Sequence, residues 1–369
     1  MNYSFIHRTR SVGPGFILVL SICLSCTGAR AQYVSCNAKE IGRLAHSRDM
    51  RQRYDSLLHI ADAALTADPH PIDTIRTEGL LQGDPRKTAT QQALHDLPKI
   101  YALSLAWRVS AKRKYLEKAA VFLGAWAAAN HPRGDPIDDT NLDPAVEAFD
   151  LVKEALTPEQ AAAIRNWLLS TANTELTAPY NRTGRATSYN NWHSHRLKIV
   201  GEIAFALGDT TLEGVVVRGL TEQIGRNLNA DGSSADFVSR DALHYHVYDL
   251  EPLLKLAILL KRATGVDYYI YTAPTGSSIK KSVDWVLPYL NGEKTHPEFV
   301  NSTVEFDRRR AQNGEAAYKA GTLFEPRNGV ATLLLASYFD PGQLALARRL
   351  IGTTDRYPAW QAVVNELGR

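Results

Sequence analysis

ATQQALHDLPKIYALSLAWRVSAKRKYLEKAAVFLGAWAAA, residues 89–129, is the stretch that sets the fold class of this chain. Leu94, Leu97, Tyr101 and Leu105 recur three or four residues apart, as do Tyr115, Ala119, Phe122 and Trp126, a spacing that gathers apolar side chains on one face of an α-helix. Between the two runs Ser110-Ala111-Lys112-Arg113 is polar. The stretch therefore reads as two antiparallel helices, 89–110 and 113–129, joined by a tight turn.

Outward from this hairpin the pattern repeats. A third helix starts at Thr157-Pro158-Glu159-Gln160, where Thr caps, Pro sits in the first turn and Gln closes a capping box. Helical runs follow at about 194–208, 211–228, 242–263, 278–290, 328–338, 342–351 and 358–367. No segment shows sustained strand alternation, no Gly/Ser- or Pro-rich linker divides the chain, and no short period names a solenoid. Amphipathic hairpins in series close around a central cleft, so the expected architecture is all-α: an α/α toroid, an incomplete barrel, as one domain over residues 32–369.

Residues 1–31 read as a removable address. Arg8 and Arg10 precede the apolar stretch 16–24, and Ala29-Arg30-Ala31 supplies a small-x-small site for cleavage before Gln32. No later stretch approaches ~20 uninterrupted apolar residues, so no stable membrane span is expected. The mature protein is expected in the periplasm or secreted, with lipidation at Cys26, after the partial lipobox Leu24-Ser25, as the lesser reading. Cleavage removes Cys23 and Cys26, and Cys36 alone cannot form an intramolecular disulfide. It also removes three of the 42 basic residues and none of the 39 acidic ones. A near-zero net charge gives no support to nucleic-acid binding, and an acidic polymer would have to be met by a local cleft. Nothing in the sequence fixes the oligomeric state.

Chemistry concentrates in two places: Tyr189-Asn190-Asn191-Trp192-His193-Ser194-His195-Arg196 and Arg240-Asp241-Ala242-Leu243-His244-Tyr245-His246-Val247-Tyr248. Each leads into a long apolar helical run, 197–207 and 250–260, which places the reactive groups at helix ends on a rigid frame. Together they supply amide, imidazole, guanidinium and phenol. That set suits removal of a proton from the carbon beside a carboxylate with expulsion of a neighbouring oxygen, the β-elimination that cleaves uronic acid polysaccharides.

The run from Asp231-Gly232-Ser233 through Ala242-Leu243-His244-Tyr245 into an apolar helix resembles the signature of the alginate lyase superfamily, in which a Tyr after Ala-Leu-x is the catalytic phenol. Asn190-Asn191-Trp192-His193 is similar to that superfamily's Asn-His element. Glu78-Gly79-Leu80-Leu81, Asp84-Pro85-Arg86-Lys87 and the loop from Gly134 to Leu142 look like its cleft-reaching loops. The similarity spans most of residues 65–340 and is nearer to the glucuronan- and alginate-cleaving family thirty-eight of polysaccharide lyases than to family five. Two departures stand out: Trp192 separates Asn191 from His193, which leaves His195 in competition, and Arg240 lies five residues before Tyr245 rather than six or seven.

The resemblance implies Asn191, His193, Arg240 and Tyr245 as the catalytic set, with Tyr189, Asn190, Trp192, His195, His244, His246, Tyr248, Arg86 and Lys87 as substrate contacts. Asn191, an imidazole and Arg240 would absorb the charge that develops on the substrate carboxylate. Tyr245, with an ordinary pKa of about 10, needs a cationic neighbour to serve as a phenolate base, and Arg240 is the candidate in the sequence. One phenol can take the C5 proton and return a proton to O4 when both lie on the same face of the sugar, as in mannuronate and glucuronate.

Other readings stay open. His193-x-His195 and His244-x-His246 make two H-x-H pairs, but on a helix alternate residues point roughly 200° apart and cannot share an ion. No H-E-x-x-H is present, so no catalytic metal is expected and no cofactor is called for, while a structural ion stays open. A glycoside hydrolase would need two carboxyl groups ~5 to 9.5 Å apart, and Asp135, Asp138, Asp139, Asp236 and Glu298 supply candidates without a pair that spacing singles out. A non-catalytic polysaccharide-binding protein would tolerate loss of Tyr245 better than loss of Trp192.

Overall fold

A computed structural model describes residues 34–351 except 47, together with Val363 and Asn365. The leader, the lipidation site and, but for these last two helical positions, the helix at 358–367 lie outside the described residues. The chain passes through α1 (Ala38–His46), α2 (Arg48–Ala64), α3 (Pro85–Ala93), α4 (Asp96–Ser110), α5 (Arg113–Ala129), α6 (Pro136–Asp139), α7 (Asp143–Val152) and α8 (Pro158–Thr177). It continues through α9 (Asn191–Leu207), α10 (Thr210–Asn227), α11 (Ala235–Arg240), α12 (Leu243–Thr264), α13 (Ile279–Leu290), α14 (Glu305–Gln312), α15 (Val330–Ala336) and α16 (Gln343–Ile351). Among the described residues the β-structure consists of isolated bridges at Leu228–Ser234 and Pro297–Leu323.

The hairpin of α4 and α5 turns at Ala111, whose φ of 56° places a non-glycine residue in the left-handed region while its N–H returns to the Trp107 carbonyl. The expected helix 89–110 is divided at Leu94 and His95. Pro98 is the reason: it lacks an N–H and its ring opposes the carbonyl four residues earlier, so it is accommodated in the first turn of α4 and not in the middle of a longer helix. At α8 the Thr157–Gln160 capping box forms as read, with Pro158 in the first turn.

Two layers follow from burial. α4 packs on α7, α7 on α9, α9 on α12 and α12 on α15, while α5, α8, α10 and α13 pack on the outside of this series. Every residue of α7 is buried, as is α9 from Ser194 to Ala204, because an inner helix has neighbours on all sides and no solvent face. Gly201 lets α9 approach its neighbours: a Cβ there would stand 2.7 Å from a Leu256 methyl and 3.0 Å from one of Val216. The arrangement is an incomplete α/α toroid of helical hairpins. No helix among the described residues is long and apolar enough to cross a membrane.

The inner layer also encloses charge. Lys255 Nζ lies 2.9 Å from both Asp143 and Glu147 and 3.3 Å from Glu202, and Lys198 also reaches Asp143. Burial and the nearby Asp143 raise the Glu202 carboxyl well above the ordinary range.

Candidate active site

Asn190 caps α9, its side-chain oxygen accepting from the Trp192 N–H at 3.1 Å. The next residue, Asn191, is buried. Its backbone N–H donates to the Asp236 carboxylate at 2.7 Å and its side-chain amide donates to the other oxygen of the same group. Gln223 on α10 donates to the carbonyls of Tyr189 and Asn190 and to the Ser194 hydroxyl, which itself donates to Asp249 on α12. The start of α9 is thereby tied to three other helices, and the Asn191 amide keeps one N–H that Asp236 does not take.

Asp236 belongs to α11, whose last residue is Arg240. Asp241 then turns the chain with φ 49°, and Ala242 stands at the N-cap of α12 with no side chain able to cap. Glu298 does so instead, its carboxylate accepting from the N–H groups of Leu243 at 2.7 Å and His244 at 3.0 Å. Tyr245 follows in the first turn. The Arg240 guanidinium lies 3.8 Å above its ring centroid and is ion-paired with Asp307 at 2.5 Å.

The phenol oxygen itself is met by a different cation. Arg310 of α14 donates to Tyr245 Oη at 2.7 Å, and Asp307 stands 3.5 Å from the same oxygen. Arg310 is buried between the rings of Phe306 and Tyr318, with Glu78 4.0 Å from its far nitrogen. Burial pushes the Tyr245 phenol well up, and Arg240 and Arg310 both pull it down. Burial also raises Glu78, which weakens its claim on Arg310.

The imidazoles differ. His193 Nδ1 faces Arg196 Nη1 at 3.4 Å, so Nδ1 accepts and Nε2 carries the proton. Burial and then Arg196 lower its pKa to about 4, which leaves it a neutral N–H donor. His195 is buried, bonded through Nδ1 to Thr140 at 2.9 Å, with its ring 4.5 Å from Tyr248 and its pKa lowered by burial to about 3. His244 packs edge-on to Tyr245 and Tyr318, and burial lowers its pKa to about 4. His246 is fully buried and bonded through both nitrogens, to the Ser234 hydroxyl and the Ser282 carbonyl, each at 3.1 Å.

A family model described as Alginate lyase matches residues 45–296. The chain belongs to the alginate lyase family. It is a polysaccharide lyase, and a curated polysaccharide lyase of Stenotrophomonas maltophilia (strain K279a) is 27% identical to it over 239 residues, 59% of this chain and 70% of the relative. Among solved structures, an alginate lyase from Bacteroides ovatus superposes with a TM-score of 0.66 at 18% identity, over 90% of this chain and 99% of that one. Alginate lyase A1-III from Sphingomonas species A1 gives 0.58 at 20%, over 82% and 95%. These likenesses carry the fold. The matched segment includes Asn191, His193, Arg240 and Tyr245 but ends before α14.

The remaining sequence candidates of the lyase scatter around this centre. Tyr248 is half-buried beside His195, and burial raises its phenol well above the ordinary range, with Glu251, Glu78 and Tyr245 adding to the rise. Trp192 lies 5.2 Å from Tyr180, and Arg226 sits over Tyr189 at 5.7 Å. Arg86 is paired with Asp84 at 2.8 Å, and Lys87 donates to the Leu80 carbonyl. Those two are engaged within their own loop, and the same loop reaches the centre through Glu78 instead.

Most carboxyl groups considered for hydrolysis already have structural partners. Asp236 holds Asn191, Glu298 caps α12, Asp138 accepts from Thr77 and Glu78, and Asp139 accepts from the Gly134 N–H. Asp135 caps α6 and is pushed up to about 7 by burial and then by Asp138. Sequence reasoning passed over Arg310 and Asp307. Their segment has no apolar periodicity, and its one signal is the run Arg308-Arg309-Arg310 in a chain of nearly balanced charge.

Proposed function

We propose that this lyase cleaves a 1,4-linked uronan, mannuronate-rich alginate or glucuronan, by β-elimination that leaves unsaturated uronate ends. The observation that carries this reading is the link between the two sequence clusters: Asp236 holds Asn191, Asp236 and Arg240 lie on the same short helix, and Arg240 covers the ring of Tyr245. An amide donor and a phenol are thus fixed in one framework, with the neutral His193 N–H two residues beyond the amide. Asn191 and His193 would take up charge on the C5 carboxylate, and Tyr245 would remove the C5 proton and protonate O4. The alginate lyases among the structural neighbours, and the tetrasaccharide complexes of two A1-III variants, support a polysaccharide of this type. The leader at residues 1–31 supports delivery of a single domain, 32–369, to the periplasm or the exterior.

The test is absorbance at about 235 nm on mannuronan, guluronan, glucuronan and a glycosaminoglycan, where elimination creates a chromophore that hydrolysis does not. A rise on mannuronan or glucuronan is expected, and Tyr245→Phe should abolish it while leaving polymer binding and the circular dichroism spectrum intact. New reducing ends without absorbance would make the protein a hydrolase. A rate in Tyr245→Phe close to wild type would remove the phenol from the mechanism.

A further inference from the structure

We propose that Arg310, a residue of α14 outside the matched family segment, is a catalytic residue of this lyase: it stabilises the Tyr245 phenolate through a hydrogen bond to its oxygen. The inference rests on Tyr245 acting as base and acid. Arg310 Nη1 is 2.7 Å from the oxygen that would gain and lose the proton, whereas Arg240 lies over the face of the ring and is ion-paired with Asp307. A hydrogen bond to the charged form favours that form directly, while a cation over a ring acts on the whole π-system and shares its charge here with a carboxylate.

The setting of Arg310 suits this role. Phe306 and Tyr318 lie 4.4 and 4.6 Å from its guanidinium carbon and hold the group without neutralising it, and the nearest ion-pair partner, Glu78, is 4.0 Å away. A buried guanidinium cannot give up its charge, so it gains most when the phenol ionises beside it. Asp307, 3.5 Å from the phenol oxygen, accepts a hydrogen bond from the hydroxyl when Tyr245 is neutral.

Tyr245 phenolate takes the C5 proton, and the C–H electron pair passes into the enolate of the carboxylate. The C4–O4 bond breaks with its pair going to O4, C4=C5 forms, and the Tyr245 hydroxyl returns the proton to O4. Arg310 remains protonated throughout, and neither water nor an oxidant is consumed.

The experiment compares pH profiles of kcat/KM for wild type, Arg310→Gln, Arg310→Lys, Arg240→Gln and Tyr245→Phe, alongside tyrosinate absorbance titrations of each. Arg310→Gln should move the acidic limb at least one pH unit upward and lower the neutral-pH rate by about 10²-fold, the usual cost of one such donor. Arg310→Lys, which keeps the charge but loses the fork, should fall between Gln and wild type, and it decides the matter if Arg310→Gln does not fold. The tyrosinate transition lost in Tyr245→Phe should shift upward in the Arg310 variants more than in Arg240→Gln. An inactive Tyr245→Phe with an unmoved limb in the Arg310 variants, or a larger shift in Arg240→Gln, overturns the proposal. An active Tyr245→Phe overturns the underlying assignment of the phenol instead.

Discussion

Asn191 has two amide hydrogens, and Asp236 takes one while also holding the backbone N–H of the same residue. The other is the hydrogen available to a substrate carboxylate, so Asn191→Ala should lower kcat by about 10²-fold with a smaller effect on KM. His193→Ala should cost a similar factor. His195→Ala should act mainly through stability, because that ring is buried between Thr140 and Tyr248. Steady-state kinetics of the three variants check this, and small, equal effects at both histidines would remove the imidazole from the mechanism. Asn191 and Tyr245 could be singled out in the sequence because an amide two positions before His193 and a phenol after Ala-Leu-His lie within short local segments. Arg310 was not, because its importance comes from a contact across 65 positions with the Tyr245 oxygen.

At the scale of the element, α12 carries Tyr245 in its first turn yet begins at Ala242, which has no capping side chain. Glu298 replaces the local cap from 55 residues away, and burial raises its pKa to about 7 against the pull of the two N–H groups it accepts. Glu298→Ala should lower unfolding free energy by about 1–2 kcal/mol, the scale of a lost cap, and lower kcat more than it raises KM as the first turn loosens. Glu298→Gln keeps an acceptor and should retain most activity. Urea unfolding and Michaelis kinetics check both variants, and complete inactivity of Glu298→Gln would instead favour a catalytic carboxyl. The helices α5, α8, α9 and α12 were readable from apolar spacing and caps. α7 was not read, although all its residues are buried, because a helix enclosed on every side shows no polar face to set off its period. α14 escaped for the opposite reason, being polar nearly throughout.

At the scale of the molecule, buried groups titrate against one another: the neutral histidines lose stability in acid, whereas carboxyls raised by burial, such as Asp135 and Glu251 at about 7, gain it. A single-site difference separates one contribution from the rest. His246 is held neutral by burial with a pKa of about 4 against 6.5 when exposed, so its contribution is full above pH 6.5 and is lost as the pH falls towards 4. The stability gap between wild type and His246→Gln should therefore be widest at neutral pH and narrow in acid. Urea midpoints from pH 7 to pH 4 read it, and a constant gap would mean that His246 is not held neutral by its burial. The sequence by itself determined that this chain is a set of helical hairpins and that amide, imidazole, guanidinium and phenol side chains gather near the starts of two apolar helices, because helical period, caps and side-chain types are written within a few residues. Only the tertiary structure decided which groups meet: Asp236 with Asn191, Glu298 with the start of α12 and Arg310 with the Tyr245 oxygen. Charges and hydrogen bonds act over a few ångströms of space, and the packing of inner helices brings together residues that local sequence does not connect.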